Sequence, residues 1–222
     1  MNARFVRGLL IGLVLATPRE SVAGLVQLFD PEATYQGAST LIPITGPDNN
    51  DVDSLGDGVL TIDFSHTREV HSVPGGGWNT WSSAPDAESA TPRVLGGDNF
   101  DISLSSLTMT FDRPVYLFGV EAEPETFDTW TFTATFFNGG DVVGSFSRDI
   151  FGSAGARLLA ARATDGDLFT RVDVTTGTNF ALAQFRYSLT PVTVPEPSAL
   201  LLLGLGSLGL GGYIRRRRAA RA

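Results

Sequence analysis

Most of this 222-residue chain consists of short runs rich in Val, Phe, Thr and Leu, which clusters of Gly, Asp, Asn and Pro separate. Such runs are typical of β-strands joined by tight turns, and the 3.6-residue periodicity of amphipathic helices is nearly absent. About eight to ten runs of this kind lie between residues 25 and 189. Because the connections are short, we predict an all-β fold, an antiparallel β-sandwich of the jelly-roll type.

The clearest hairpin surrounds the turn Asn138-Gly139-Gly140-Asp141. Glycine-rich turns of this length join antiparallel strands, and the strand after this turn covers residues 142–146. In the strand before it, threonines alternate with residues that we expect in the core, namely Trp130, Phe132, Ala134 and Phe136.

The other predicted strands cover residues 25–29, 59–64, 104–111, 115–121, 157–163, 169–174 and 181–189. Strict alternation in the last of these predicts a shared face for Ala181, Ala183, Phe185, Tyr187 and Leu189. Two stretches interrupt the pattern. Residues 47–58 form a polar, acidic segment, and residues 73–97 are rich in Gly, Pro, Ser and Ala. We predict that both are long loops, which in compact domains are usually functional or disordered.

The chain contains no cysteine, which excludes disulfides, thiol catalysis and zinc–thiolate sites. Residues 24–193 carry 8 arginines and 22 carboxylates, a formal charge of −14. A surface with this charge repels nucleic acid and anionic lipid, so we expect no nucleic-acid partner. Calcium and cationic partners remain compatible with it, although solubility alone is sufficient to explain the charge.

The N-terminus has the three parts of a secretory signal peptide. Arg4 and Arg7 precede an apolar run of 9 residues, 8–16, and Ser21-Val22-Ala23 places small residues where signal peptidase reads them. We predict that residues 1–23 are a signal peptide, cleaved between Ala23 and Gly24. The apolar run is too short to span a bilayer.

The C-terminus combines a Pro-Glu-Pro motif, an apolar span and an arginine cluster. Residues 198–214 are 17 residues without charge, and a helix of this length spans about 25 Å, slightly less than a hydrocarbon core of about 30 Å. Interfacial Tyr213 and the long arginine side chains make up the difference. We therefore predict a transmembrane helix, with its Arg-rich end in the cytoplasm by the positive-inside rule.

This order of elements at the extreme C-terminus closely resembles the PEP-CTERM sorting signal of Gram-negative bacteria. The resemblance implies that an exosortase recognises Pro195, Glu196 and Pro197, and that the stop-transfer signal is Arg215, Arg216, Arg217 and Arg218. It also implies transient anchoring in the inner membrane, cleavage near the motif, and delivery of the cargo to the cell surface or its exopolysaccharide matrix. The chain would thus comprise an extracytoplasmic domain (24–189), a linker (190–194) and the sorting signal (195–222).

Carboxylates in the acidic segment form one candidate metal site. Oxygen ligands concentrated in a loop suit calcium, although no register of this segment matches an EF-hand. A solvated acidic loop is the alternative that we favour. The candidate calcium ligands are Asp48, Asp51, Asp53 and Asp57.

Two tryptophans beside a glycine-rich turn form a candidate sugar site. Exposed aromatic rings on β-folds stack on sugar rings, and three glycines, Gly75 to Gly77, favour a loop that exposes Trp78 and Trp81. The competing interpretation is that one or both rings pack in the core, as we expect for Trp130.

The sequence offers few candidate catalytic residues. Glu121, Glu123 and Glu125 alternate along a predicted strand and could face a cleft as paired carboxylates, but we favour a solvated face. We therefore predict an exported, non-enzymatic envelope or matrix protein with a structural, adhesive or exopolysaccharide-binding domain and no required cofactor. The alternative is a polysaccharide-acting or calcium-dependent enzyme that uses carboxylates of the acidic strands.

Overall fold

A computed structural model describes residues 24–97 and 104–191 of the chain. The predicted signal peptide, transmembrane helix and sorting motif lie outside these residues. Within them, no helix is both long and apolar enough to cross a membrane. The elements in chain order are β1 (Gly24–Leu28), α1 (Ala33–Gly37), β2 (Thr40–Ile42), β3 (Asp51–Gly56), β4 (Thr61–Ser72), β5 (Arg93–Gly96), β6 (Ser106–Val115), β7 (Leu117–Pro124), β8 (Thr129–Asn138), β9 (Asp141–Phe151), β10 (Arg157–Thr164), β11 (Phe169–Thr175) and β12 (Phe180–Ser188).

All strand pairs are antiparallel and belong to one continuous sheet, which confirms the predicted all-β antiparallel class. The order is β1-β10-β7-β12-β5-β4-β6-β11-β8-β9, with β2 paired to β12 and β3 paired to β4. The two ends of the sheet meet, since a Cβ placed on Gly144 of β9 would lie 2.9 Å from the Leu25 side chain of β1. The sheet is therefore nearly closed into a barrel. Irregularities that leave extra residues in β9, β6 and β12 interrupt the register and help to curl the sheet.

Every strand that the sequence predicts is present, but two are longer than expected: β4 extends eight residues beyond its predicted end at residue 64, and β9 extends five residues beyond its predicted end at residue 146. The Asn138–Asp141 hairpin turn is also confirmed, with Gly139 in the left-handed region at φ 61°. The expectation of an unbroken loop over residues 47–58 is wrong, because β3 lies there and pairs with β4. Only one of its six residues, Leu55, is buried. Such an exposed strand lacks the apolar alternation that would identify it in the sequence.

One apolar core fills the interior of the curled sheet. It is built largely from aromatic and branched side chains that alternate along the strands. Phe132 packs edge-on against Phe180 with ring centroids 5.5 Å apart, and Phe136 contacts Phe169 at 4.7 Å. Trp130 is only partly buried at the margin of this core, so its predicted place there is confirmed in part.

The shared face predicted for alternate residues of the last strand is wrong. Gln184 has a positive φ of 54°, and the pairing register with β7 shifts between Ala183 and Arg186. This bulge reverses which parity of residues points inward. Phe185 and Tyr187 lie in the main core, whereas Ala181 and Ala183 face outward into a second apolar cluster.

A charged side chain is enclosed in this fold without a counter-ion among the described residues. Arg68 of β4 is fully buried, and its Nη2 atom donates to the carbonyl oxygens of Leu95, at 3.3 Å, and Phe180. Its Nε and Nη1 atoms have no hydrogen-bond partner within residues 24–97 and 104–191. Burial lowers the pKa of Arg68 to about 10, so the guanidinium remains charged at neutral pH.

Replacing Arg68 by methionine should stabilise the domain. The variant removes a desolvated charge and two unpartnered N–H groups while keeping an unbranched side chain that fills similar space. Relief of buried charge of this kind raises the free energy of unfolding by roughly 1–3 kcal/mol, which urea denaturation would measure. Arg68→Ala is the control, since it removes the charge but leaves a cavity. If Arg68→Met lowered the free energy of unfolding, the buried guanidinium would not be destabilising.

Candidate functional site

The outward face of β7 carries polar groups that are buried despite lying outside the main core. Phe118, Val120 and Ala122 point into the core, whereas Glu121 and Glu123 point outward. Residues 73–92, which connect β4 to β5 and which we call the strap, cover these carboxylates. As a result, Glu121 and Glu123 are both 0% exposed.

Each carboxylate holds one tryptophan of the strap. The indole Nε1 of Trp81 donates to Oε2 of Glu121 at 2.9 Å, and that of Trp78 donates to Oε2 of Glu123 at 3.2 Å. The second oxygens are also satisfied, because the backbone N–H of Glu88 donates to Glu121 at 2.7 Å and the Thr80 hydroxyl donates to Glu123 at 2.9 Å. The strap is thus fastened to the sheet through its only two indole rings.

Small side chains on neighbouring strands make room for these rings. Ala156, Ala181 and Ala183 are buried against Trp78 and Trp81 in the second apolar cluster. The bulge at Gln184 therefore has a structural role, because it turns the two alanines of β12 toward the strap while larger side chains fill the core.

Negative charge exceeds positive charge beneath the strap. Arg186 forms a bidentate ion pair with Glu88 at 2.7 and 2.8 Å, so this arginine neutralises one of three neighbouring carboxylates. Burial raises the pKa of Glu121 to about 7 and also raises the pKa of Glu123. Burial likewise raises the pKa of Tyr35, which packs at the far end of this cluster near Glu88.

Two sequence-based expectations fail here for one reason. Trp78 is 8% exposed and Trp81 is 4% exposed, so the exposure expected for sugar stacking is wrong and the competing core interpretation is confirmed. The solvated face expected for Glu121 and Glu123 is also wrong. A carboxylate paired with an indole N–H satisfies both polar groups, which lets the two residue types bury each other.

Open space remains on both sides of Trp78. A cavity of about 200 Å³ is lined by Asn79, Thr80, Pro124, Phe127 and Gly152. A second cavity of about 170 Å³ is lined by Asn49, Glu69, His71, Gly97 and Asn179. Gly77, Trp78 and Glu125 line both of them. We call the two together the Trp78 groove.

Phe127 gives this groove an exposed aromatic ring. Its side chain is 67% exposed, in the turn between β7 and β8. The sequence contained a usable signal for it, because a large apolar residue between polar Thr126 and Asp128 in a turn has no core to enter. The groove thus combines an aromatic surface with amide and carboxylate groups, which is the chemistry of many small-ligand sites.

The glycine-rich turn sets the position of Trp78. Gly77 has a φ of 100°, which disfavours other residues, and a Cβ placed on it would lie 2.6 Å from the His71 ring. The Nδ1 atom of His71 shares a hydrogen bond of 2.6 Å with the carbonyl oxygen of Gly76. The imidazole therefore packs directly against the turn that presents the indole.

The four candidate calcium ligands do not converge. Asp48 pairs with Arg93 at 3.0 Å, and Asp57 accepts hydrogen bonds from the backbone N–H groups of Val59 and Leu60 and from Tyr187. Asp53 accepts the Thr67 hydroxyl, and Asp51 is exposed on β3. Residues 24–97 and 104–191 contain no group of three or more carboxylate or imidazole side chains placed to hold a metal ion. The predicted calcium site is not formed by these residues.

A further cavity lies beside α1, at the opposite end of β7 from the groove. It has a volume of about 330 Å³, and the residues around it include Phe29, Tyr35, Leu117 and Arg162. The sequence did not single it out, because its walls come from β1, α1, β7 and β10, which are distant in the chain.

Comparisons with known proteins identify the C-terminal segment. Residues 193–218 match the model of the PEP-CTERM protein-sorting motif, which covers Pro195, Glu196, Pro197 and the four arginines. This confirms the resemblance seen in the sequence. The motif implies export of the chain, processing by exosortase and a membrane-associated C-terminal signal.

The solved structures to which the chain shows similarity include carbohydrate-binding modules. A family 29 carbohydrate-binding module from Piromyces equi is 12% identical, with 68% of this chain and 90% of that chain covered and a TM-score of 0.35. A mutant of the module CBM29-2 is 10% identical, with 71% and 99% covered and a TM-score of 0.34. No curated protein has a sequence that matches this chain.

Proposed function

From the sorting motif that the chain carries, we propose that it is an exosortase substrate delivered to the cell surface or the exopolysaccharide matrix. Signal peptidase would remove residues 1–23, and helix 198–214 would hold the C-terminus in the inner membrane until cleavage near Pro195-Glu196-Pro197. The match over residues 193–218 supports this route.

The surroundings of Gly24 support cleavage after Ala23. The backbone nitrogen of Gly24, at the first position of β1, donates to Oδ2 of Asp167 at 2.9 Å. A cut between Ala23 and Gly24 would turn this nitrogen into an ammonium group against a carboxylate, a stronger hydrogen bond than the neutral one.

For the domain itself, we propose that it is a non-enzymatic, jelly-roll-type module that binds polysaccharide in the Trp78 groove. The observation that supports this role best is the exposed Phe127 ring at a groove lined by Asn79, Asn179 and Glu125. An aromatic face stacks on the C–H face of a sugar, and amide and carboxylate groups bind its hydroxyls.

Burial of the central carboxylates favours a binding role over catalysis. Glu121 and Glu123 are closed off by the strap, and their oxygens already accept hydrogen bonds.

One observation favours a second candidate, a glycosidase, because half-buried Glu69 and Glu125 line the same cavity. Release of reducing ends from the native exopolysaccharide, lost in Glu125→Gln, would establish that activity.

The binding role predicts a specific loss in Phe127→Ala. Removing one stacking ring should weaken retention of the full chain, in detergent micelles, by native exopolysaccharide in affinity gels by roughly five- to tenfold. Phe29→Ala is the matched control, because Phe29 is 60% exposed but lies at the other cavity. Equal retention of both variants and the unmodified chain would disprove binding in this groove.

A further inference from the structure

Two carboxylates in the Trp78 groove have no partner among residues 24–97 and 104–191. Glu69 of β4 and Glu125, directly after β7, are both half-buried and line the cavity of about 170 Å³. Neither side chain forms an ion pair or a hydrogen bond with any residue in the described part of the chain. Both therefore remain free to bind a group supplied from outside.

Neighbouring carboxylates differ in this respect. Glu121 and Glu123 are saturated by donors of the strap, Glu88 is paired with Arg186, and Asp48 is paired with Arg93. Protein groups thus satisfy the acidic side chains that surround the groove, whereas the two that line it are left unsatisfied.

The groove contains no arginine among its described lining residues. A ligand carboxylate or sulfate would meet two like charges there, in a domain whose formal charge is −14 over residues 24–193. A ligand ammonium would instead form charge-assisted hydrogen bonds with Glu69 or Glu125. The neighbouring cavity also presents the exposed ring of Phe127, whose face attracts cations by cation–π interaction.

We infer that the Trp78 groove selects polysaccharides that carry free amino groups, of the glucosamine type, over neutral and acidic ones. This inference rests on the proposed polysaccharide-binding function and specifies its ligand. In it, Glu69 and Glu125 bind the ammonium group, Phe127 stacks on the sugar ring, and the exposed Asn79 amide binds a hydroxyl.

The test uses the full chain in detergent micelles and three soluble hexasaccharides, of glucosamine, N-acetylglucosamine and galacturonic acid. Isothermal titration should show the glucosamine hexamer binding roughly tenfold more tightly than its acetylated form, as one charge-assisted hydrogen bond provides. The galacturonic acid hexamer should give no binding. The glucosamine and N-acetylglucosamine hexamers share one sugar backbone, so their comparison isolates the effect of the ammonium group, and the galacturonic acid hexamer tests whether the groove excludes an acidic ligand.

Substitutions in the groove test whether Glu69 and Glu125 cause the preference for the glucosamine hexamer. Glu69→Gln combined with Glu125→Gln should reduce the preference for the glucosamine hexamer to less than about threefold while leaving the acetylated hexamer bound. Asp141→Asn is the control for net charge, because Asp141 is exposed at the β8–β9 turn. Unchanged tryptophan fluorescence would verify that the double variant keeps the strap in place.

Different titration results would contradict the preference for amino sugars and the more general proposal of polysaccharide binding. The inference would be overturned if the glucosamine and N-acetylglucosamine hexamers bound equally tightly, or if the galacturonic acid hexamer bound. If that binding still depended on Phe127, the proposal that the groove binds polysaccharide would remain intact. Failure of all three hexamers to bind would overturn both. A preference for glucosamine that Asp141→Asn weakens as much as the double variant would reduce it to general charge attraction and also overturn the inference.

Discussion

Replacing Pro195, Glu196 and Pro197 together by alanine is expected to stop processing and hold the full-length chain in the inner membrane. In the proposed route, the change removes the groups of the matched motif that exosortase recognises. It leaves the apolar span and Arg215 to Arg218 intact, so the predicted anchor persists. Because no cut releases the domain, we expect loss of nearly all of the surface and matrix fraction, at least about tenfold, as for removal of an enzyme's specificity determinants.

Cell fractionation with antibody detection of the domain measures this outcome, and the retained sorting signal would appear as a higher mass. Pro191→Ala is the matched control, because it removes a nearby proline outside the matched residues 193–218. Undiminished release of the triple-alanine variant would show that the motif does not direct sorting.

Domain stability is expected to fall as the pH rises from about 5 to about 8.5, because of Glu121. Burial raises its pKa from 4.5 to about 7, so the folded state holds a proton that the unfolded state has lost. The stabilisation is complete below pH 4.5 and is lost as the pH rises through about 7. Burial raises the pKa of Glu123 in the same direction and adds to the effect.

For Glu121 alone, the expected decrease in the free energy of unfolding is roughly 3–4 kcal/mol, since one pKa unit corresponds to about 1.4 kcal/mol. Urea denaturation across this pH range measures it. In Glu121→Gln the slope should flatten, because the amide does not titrate. The absolute stability should also fall, because an amide accepts only one of the N–H groups of Trp81 and Glu88.

Glu125→Gln is the control, because this residue follows Glu121 and Glu123 at the same spacing but is only half-buried. It should retain the full pH dependence. A slope in Glu121→Gln equal to that of the unmodified chain would show that the buried carboxylate does not titrate in this range. The groups that face Glu121 are Glu88, Arg186, Trp81 and Tyr35. The change of the free energy of unfolding with pH therefore depends on the environment that these four groups create.

Alternation in the sequence was sufficient to locate most of the fold. The hairpin of β8 and β9 was predictable because its core residues alternate strictly and its turn requires glycine. By contrast, β2, β3 and β5 were not predicted as strands. They are short or exposed, so their place in the sheet depends on pairing with β12 and β4 rather than on their own apolar pattern.

Irregular backbone limited what could be inferred about side-chain direction. The bulge at Gln184 reverses the inward face of β12, and nothing in the local sequence distinguishes this position from a regular strand residue. A small residue such as Ala181 is compatible with either face. The reversal is decided by what lies opposite, namely aromatic side chains in the core and indole rings in the strap.

The sequence by itself determined the C-terminal sorting motif, the absence of cysteine chemistry, the acidity and the all-β class, because each depends on composition or on local order along the chain. Only the tertiary structure decided the roles of the tryptophans and glutamates. Trp78 and Trp81 lie about 40 residues from Glu121 and Glu123, and whether such groups face water or each other depends on long-range packing. Folding of the strap onto β7 buries these pairs and leaves Phe127, Glu69 and Glu125 as the accessible groups of the groove.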